Sequence, residues 1–289
     1  MSDLSPEELQ ELRRFHVQLG RRSDSLFSGD YQSVVRGRGM EFEEVRSYAP
    51  GDDIRHIDWN VTARAGEPYT KLFREERQVT VMLVVDVSGS TQTGSGGRDG
   101  RTDRRLQIAR IAGGLAFSAT RHRDHVGLLT FTDRVEEVVR PRRSKGHAWA
   151  IIRKIFGANP SGRGTNVSQA LQHLHSIQRR RCVVIVVSDF LDDGPWQKAL
   201  STVARKHDVH AVLVNDPLEE GLARLGLVEA CDAESGRTVL LDGASWDPEW
   251  TLEARLQSIR RAGAKGLAIS TLDDPLRSLR RHFSGRVRP

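Results

Sequence analysis

Two apolar runs constrain the fold of this chain more than any other feature. They are "VTVMLVVD" at residues 79–86 and "CVVIVVSDF" at residues 182–190. Each is too short for a buried helix, is rich in β-branched residues and has no polar alternation. That is the texture of a strand covered on both faces, as in a parallel sheet. Between and after them helical and strand patterns alternate. A helix is expected near 103–121, then two strands around a short turn in "HVGLLTFTDRVEEVVRP", so that part of the sheet is antiparallel. Helices near 147–156, after "SGRGTN" and over 196–206 follow, with a strand at 209–214. A hairpin over 227–241 turns at "DAESGR", and a helix, the strand "GLAIS" and a last helix close the pattern. Strands alternating with helices specify a doubly wound, mostly parallel α/β sheet of Rossmann-like type.

The N-terminal part differs. "SPEEL" carries a capping box, with Ser5 as the cap, Pro6 in the first turn and Glu8 three residues on. Apolar residues then recur at helical spacing to Gly20. Residues 21–78 read as a small β-rich module whose aromatics, Phe42, Tyr48, Trp59, Tyr69 and Phe73, need burial. The expected organisation is therefore residues 1–78 as a helix plus β-rich module, and residues 79–289 as the α/β domain.

Both buried strands end on a carboxylate. In "VVDVSGS" the oxygens of Asp86, Ser88 and Ser90 recur every second residue, so an extended exit from the strand points them to one side. Asp189 leaves the second strand at the same sheet edge, and a glycine loop, 161–165, brings Thr165 there as a helix opens. Ligands of open α/β sheets bind at that edge. An all-oxygen set suits a hard cation such as Mg²⁺ or Mn²⁺, and neutral hydroxyls leave the ion electrophilic, with room for a carboxylate from another protein. The competing reading is a strand end with a serine helix cap, and Thr165 can likewise cap the helix that follows it.

"DVSGS" followed by Thr165 and Asp189 resembles the metal-ion-dependent adhesion site of von Willebrand factor A domains. The resemblance implies Ser88, Ser90 and Thr165 as direct ligands, with Asp86 and Asp189 acting through water. "GRGMEFEEVRSYAPGDDIRHIDWNVTARAG", "HDVHAVLVNDPLEEGL" and "LVEACDAESGRTVLLD" are similar to a prokaryotic family, domain of unknown function (DUF) family 58. That resemblance implies a von Willebrand A-like domain and a partnership with a MoxR-type AAA+ ATPase. The methionine usual after the second serine is Thr91 here. The signature segment holds Arg46, Tyr48, Gly51, Asp52, Asp53, Arg55, Asp58 and Trp59, a candidate interface. Its plainer reading is a turn at Pro50-Gly51 and then a strand whose charges pair with Arg46 and Arg64.

Other classes find less support. No P-loop or G-x-S-x-G elbow occurs, so the expectation is a binding module rather than an enzyme. A metal-dependent phosphatase could use Asp86 as nucleophile, but the second acid expected two residues on is Ser88. The net charge of +6 comes from 44 basic and 38 acidic residues, only six of the basic ones lysine. An arginine-rich nucleic-acid binder would need aromatic and basic residues interleaved, and none are. The histidines His173 and His175, two apart on a helix, face different ways, and His122 and His125 lack a third ligand, so zinc is not expected. No apolar run reaches membrane-spanning length. With the acidic start, and with Cys182 and Cys231 far apart, this points to a cytoplasmic protein.

Overall fold

The computed structural model describes residues 40–75, 79–92, 104–217, 227–231, 238–242 and 251–284. The helix expected over 5–20, the loop 93–103 and the turn at 232–237 lie outside them. The module opens with β1 (Met40–Ser47), a 3-10 turn (Ile54–His56), α1 (Trp59–Ala65) and β2 (Tyr69–Glu75). Strands β1 and β2 pair antiparallel in a two-stranded sheet of their own, with a bulge between Phe42 and Glu44.

The main sheet has six strands: β3 (Thr80–Asp86), β4 (His125–Phe131), β5 (Val135–Arg142), β6 (Val183–Ser188), β7 (Asp208–Asn215) and β10 (Lys265–Ser270). Their spatial order is β10-β7-β6-β3-β4-β5, parallel throughout except for β5 at one edge. The hairpin β8 (Leu227–Cys231) and β9 (Thr238–Asp242) forms a third, separate sheet.

Among the described residues, the helices that cover the main sheet are α2 (Arg104–Arg121), α3 (Lys145–Phe156), α4 (Val167–Ile177), α5 (Trp196–Lys206), α6 (Leu252–Arg261) and α7 (Pro275–Ser284). The alternation within β3 shows which face meets which helix. Val81, Leu83 and Val85 join one core cluster with α2, α3 and α7. Met82 and Val84 join the other with α4, α5 and α6. Both faces of β3 are therefore dry, which accounts for its unbroken apolar sequence. The bulk of Met82 is accommodated by Gly127 in the neighbouring strand. A Cβ there would lie 2.5 Å from the Met82 sulfur and 3.0 Å from the carbonyl of Val139.

The order matters for function. From β3 the chain runs outward through β4 and β5, then returns to place β6 on the other side of β3. Strands β3 and β6 thus flank the topological switch point, where the crevice of a doubly wound sheet opens. Asp86 ends the first of these strands and Asp189 follows the second.

Candidate metal centre

Asp86 is 1% exposed. Its Oδ1 accepts the N–H of Ser88 at 2.9 Å and its Oδ2 accepts the hydroxyl of Ser188 at 2.6 Å. Burial, reinforced by repulsion from Asp189 and only partly offset by these bonds, pushes its carboxyl up to about 7. Asp189 is fully buried; its Oδ1 accepts the N–H of Leu191 at 3.0 Å and its Oδ2 the Nη1 of Arg104 at 3.1 Å. Ser188 joins the two arms, because the hydroxyl it gives to Asp86 also accepts the N–H of Phe190 at 3.0 Å. Phe190 holds a left-handed φ of 55°, and its ring rests on Trp196 with centroids 5.2 Å apart. That packing sets the sharp turn that carries Asp189 off the strand.

After β3 the chain enters a 3-10 turn at Gly89–Gln92. The hydroxyl oxygens of Ser88 and Ser90 lie 3.0 Å apart. Thr91 donates its hydroxyl to the carbonyl of Ser88 at 2.7 Å, a tie that methionine at this position lacks. The 161–165 loop docks on this turn: the N–H of Gly89 donates to the carbonyl of Arg163 at 2.9 Å, and the N–H of Asn166 to the carbonyl of Thr132 at 2.8 Å. Thr165, half-buried, sits between these anchors. The cap of α4 is Asn166, whose side chain accepts the N–H of Gln169, so the capping role open to Thr165 is filled by its neighbour.

Glu136 fastens that loop from β5. One carboxylate oxygen accepts the N–H of Gly162 at 2.8 Å and the hydroxyl of Thr132 at 2.7 Å. The other accepts the N–H and hydroxyl of Ser161 at 3.1 and 2.9 Å. Burial raises the affinity of Glu136 for a proton, but these four bonds overcome it and hold the carboxyl down at about 2.

The spacing of the two serine oxygens suits a small hard cation. Ligands on adjacent corners of an octahedron of radius roughly 2.0–2.1 Å stand about 2.9 Å apart, close to the separation of the two serine oxygens. The carboxylates spend their oxygens on N–H and O–H donors, which suits them to act on an ion through water. Ser88, Ser90 and Thr165 would hold the ion, and it would supply an electrophilic position at the sheet edge. Among the described residues no group of three or more His, Cys, Asp or Glu side chains is placed to hold a metal, so any site here depends on hydroxyls.

Two arginines that the sequence does not mark meet at Asp189. Arg104, the first residue of α2, is 3% exposed and gives Nη1 both to Asp189 Oδ2 and to the carbonyl of Ser90, each at 3.1 Å. Arg255, on α6 and 6% exposed, donates Nη1 to the carbonyl of Asp189 at 2.5 Å. Beside them opens a cleft of about 620 Å³, lined by Phe190, Asp192, Trp196, Arg255 and Arg261 among others.

The signature segment is built differently from the strand expected of it. Gly51 turns the chain with φ 111°, after which Asp53 caps the 3-10 turn and Asp58 caps α1. These cap bonds start helical turns where a strand was expected. Asp52 pairs with Arg46 at 2.8 Å, as expected, whereas Asp53 pairs with Arg55 at 2.8 Å and Asp58 with Lys71 at 3.1 Å. Tyr48 is half-buried and gives its N–H to Pro68. Burial of all five aromatics is not met: Trp59 is 70% exposed because the first turn of α1 points it outward, and Ile54 is 67% exposed nearby. The side chains of Phe42 and Phe73 lie outside the described residues.

Among the described residues no helix is long and apolar enough to cross a membrane. An uncharacterized protein of Mycobacterium tuberculosis is 30% identical over 292 residues, covering 98% of this chain and 91% of that one. The crystal structure of the conserved hypothetical protein BatB from Bacteroides thetaiotaomicron superposes with a TM-score of 0.52 at 16% identity, over 72% of this chain and 98% of that one. An aerotolerance-related membrane protein from Bacteroides fragilis gives 0.51 at 16%, over 72% and 99%. At that identity the likeness concerns the fold. The family model described as a protein of unknown function, DUF58, matches residues 44–253. The chain belongs to the DUF58 family and has a doubly wound, mostly parallel α/β fold.

Proposed function

We propose that this protein is a metal-ion-dependent protein-binding module. In this reading Mg²⁺ or Mn²⁺ is held directly by Ser88, Ser90 and Thr165, and through water by Asp86 and Asp189. It offers its open position to a carboxylate of a protein partner. Residues 79–289 form the binding domain and residues 1–78 an appended module. The observation that carries the reading is the hydroxyl pair 3.0 Å apart at the switch point, beside two buried carboxylates. A MoxR-type AAA+ ATPase is the partner that the family resemblance suggests.

The phosphatase alternative fares worse at Asp86. A nucleophilic carboxylate must be anionic and open to substrate. This one is buried, pushed up to about 7 and hydrogen-bonded at both oxygens. The nucleic-acid alternative loses several of its arginines to acidic neighbours: Arg46, Arg55, Arg104, Arg134 and Arg260 are each ion-paired.

The test is calorimetric titration of Mg²⁺ and Mn²⁺, with thermal unfolding, on wild type and Ser88→Ala/Ser90→Ala. Binding and a raised melting temperature are expected in wild type and absent from the double variant. Binding by the double variant as tight as that of wild type would sink the reading.

A further inference from the structure

The metal reading above leaves Arg104 unexplained, and the inference that follows rests on that reading. The guanidinium is buried against Asp189 and touches two of the groups assigned to the metal: the carboxylate of Asp189 and, through the same Nη1, the backbone of Ser90. A buried carboxylate needs a cation or a set of donors, since an uncompensated buried charge is strongly unfavourable. Arg104 supplies one from within the chain. Arg255 adds a second guanidinium on the Asp189 carbonyl. The Asp189 carboxylate is therefore already faced by one guanidinium, with a second on its backbone carbonyl, and a divalent ion entering beside it meets positive as well as negative charge. Like charges at this range, with little water between them, interact strongly.

We infer that Arg104 is a built-in counter-cation that competes with the metal for Asp189. In the free protein the guanidinium neutralises the carboxylate and keeps ion affinity low. Full occupancy of the site requires Arg104 to release Asp189. The ion and an acidic partner residue then stabilise one another's binding, because the partner's negative charge offsets the cation that Arg104 would otherwise exclude. The competing role is that of a positioning residue, in which Arg104 orients Asp189 and stays bonded to it while the ion is present. The two roles predict opposite responses to removal of the guanidinium.

Mn²⁺ affinity is measured by calorimetry on the full chain as wild type, Arg104→Met, Arg104→Lys and Ser88→Ala/Ser90→Ala. Methionine keeps the bulk of the arginine stem and removes its charge. Arg104→Met is expected to bind Mn²⁺ more tightly than wild type by about tenfold or more. Its melting temperature should be lower in EDTA and should rise further on adding Mn²⁺ than that of wild type. Arg104→Lys, which keeps the charge, should stay near wild type. Arg104→Met binding no more tightly than wild type overturns the competition and leaves Arg104 a positioning residue. Should Arg104→Met not fold, the wild-type guanidinium ¹⁵N resonances of Arg104, identified by their loss in Arg104→Lys, decide. A shift on saturation with Mg²⁺ is expected, and an unchanged resonance overturns the inference. If wild type binds Mn²⁺ and Arg104→Met binds it equally, the inference alone fails. If no chain binds either ion, the metal reading fails with it.

Discussion

Replacing Glu136 with glutamine changes one atom and removes one charge, and the structure fixes the consequence in some detail. Glutamine keeps an oxygen for the N–H of Gly162 and the hydroxyl of Thr132. It then turns an NH₂ group toward Ser161, where the wild-type carboxylate accepts an N–H and a hydroxyl. The hydroxyl can rotate, but the backbone N–H cannot and is left facing a donor. Lowering a carboxyl from 4.5 to about 2 corresponds to roughly 3 kcal/mol at about 1.4 kcal/mol per pH unit. The side chain is half-buried, so solvent screening reduces this to about 1–2 kcal/mol. The sign follows from the direction of the shift. A carboxyl held below its unfolded value stabilises the fold above roughly pH 4.3, and that stabilisation is lost as pH falls toward 2. Urea unfolding of wild type and Glu136→Gln at pH 7, 5, 4 and 3 should give a difference that is largest at pH 7 and closes steadily below pH 4.5. Because Glu136 fastens the loop that carries Thr165, the variant should also bind Mn²⁺ more weakly at pH 7. A stability difference independent of pH, or no difference at pH 7, would refute the assignment of Glu136 as the charged anchor of the loop.

The same loop and the opposite end of β3 supply two further predictions. At Gly162 a Cβ would lie 1.9 Å from an Asp133 carboxylate oxygen and 2.2 Å from the Thr132 hydroxyl, so Gly162→Ala should push the loop outward and lower Mn²⁺ affinity in calorimetry at least as far as Glu136→Gln does. Asp124, buried where its Oδ1 accepts the N–H of Val79 at 2.9 Å, is pushed up to about 7 by burial. A carboxyl raised in this way supports the fold below about pH 4 and ceases to as pH rises through 7, so Asp124→Asn, which keeps the acceptor, should gain on the order of 2–4 kcal/mol over wild type at pH 8 and little at pH 4, read by urea unfolding.

What could be read from the chain depended on how local the cause was. Strands β3 and β6 announce themselves because burial on both faces leaves no polar position, and the parallel register, pairing Val85 with Val187, brings Asp86 and Asp189 to the same sheet edge one residue out of step. The places of Asp86, Ser88, Ser90 and Asp189 at that edge were legible for that reason. Glu136, Ser188, Arg104 and Arg255 were not, because each acts on a partner far along the chain. Arg104 looks like any polar residue in the first turn of a helix until the crossing of α2 brings it to Asp189, 85 residues later. Glu136 has the pattern of an edge-strand surface residue, and only the bulged pairing of β5 with β4 aims it at the glycine loop. Trp59 is exposed for a local reason that the sequence carries: Asp58 followed by Trp59-Asn60-Val61 is an N-cap signal, and the helix that starts there turns the indole to solvent.

The bond between Ser188 and Asp86 spans 102 residues of chain, and this bears on the order in which the protein is made. Strands β3, β4 and β5 are sequential neighbours and can pair as soon as residue 142 is available. Asp86 is then already at the end of its strand, with neither its serine donor nor Asp189 beside it. At about 5–20 residues per second, synthesis leaves that half-sheet waiting roughly 2–9 s for β6, with one long edge of β3 open to any other extended chain. Closing so large a loop is the slow step expected for a sheet of this topology. In the proposed site the hydroxyls of Ser88, Ser90 and Thr165 all precede β6 in the chain and only Asp189 arrives with it, so ion binding by chains truncated before β6 would report what the hydroxyl set holds without Asp189.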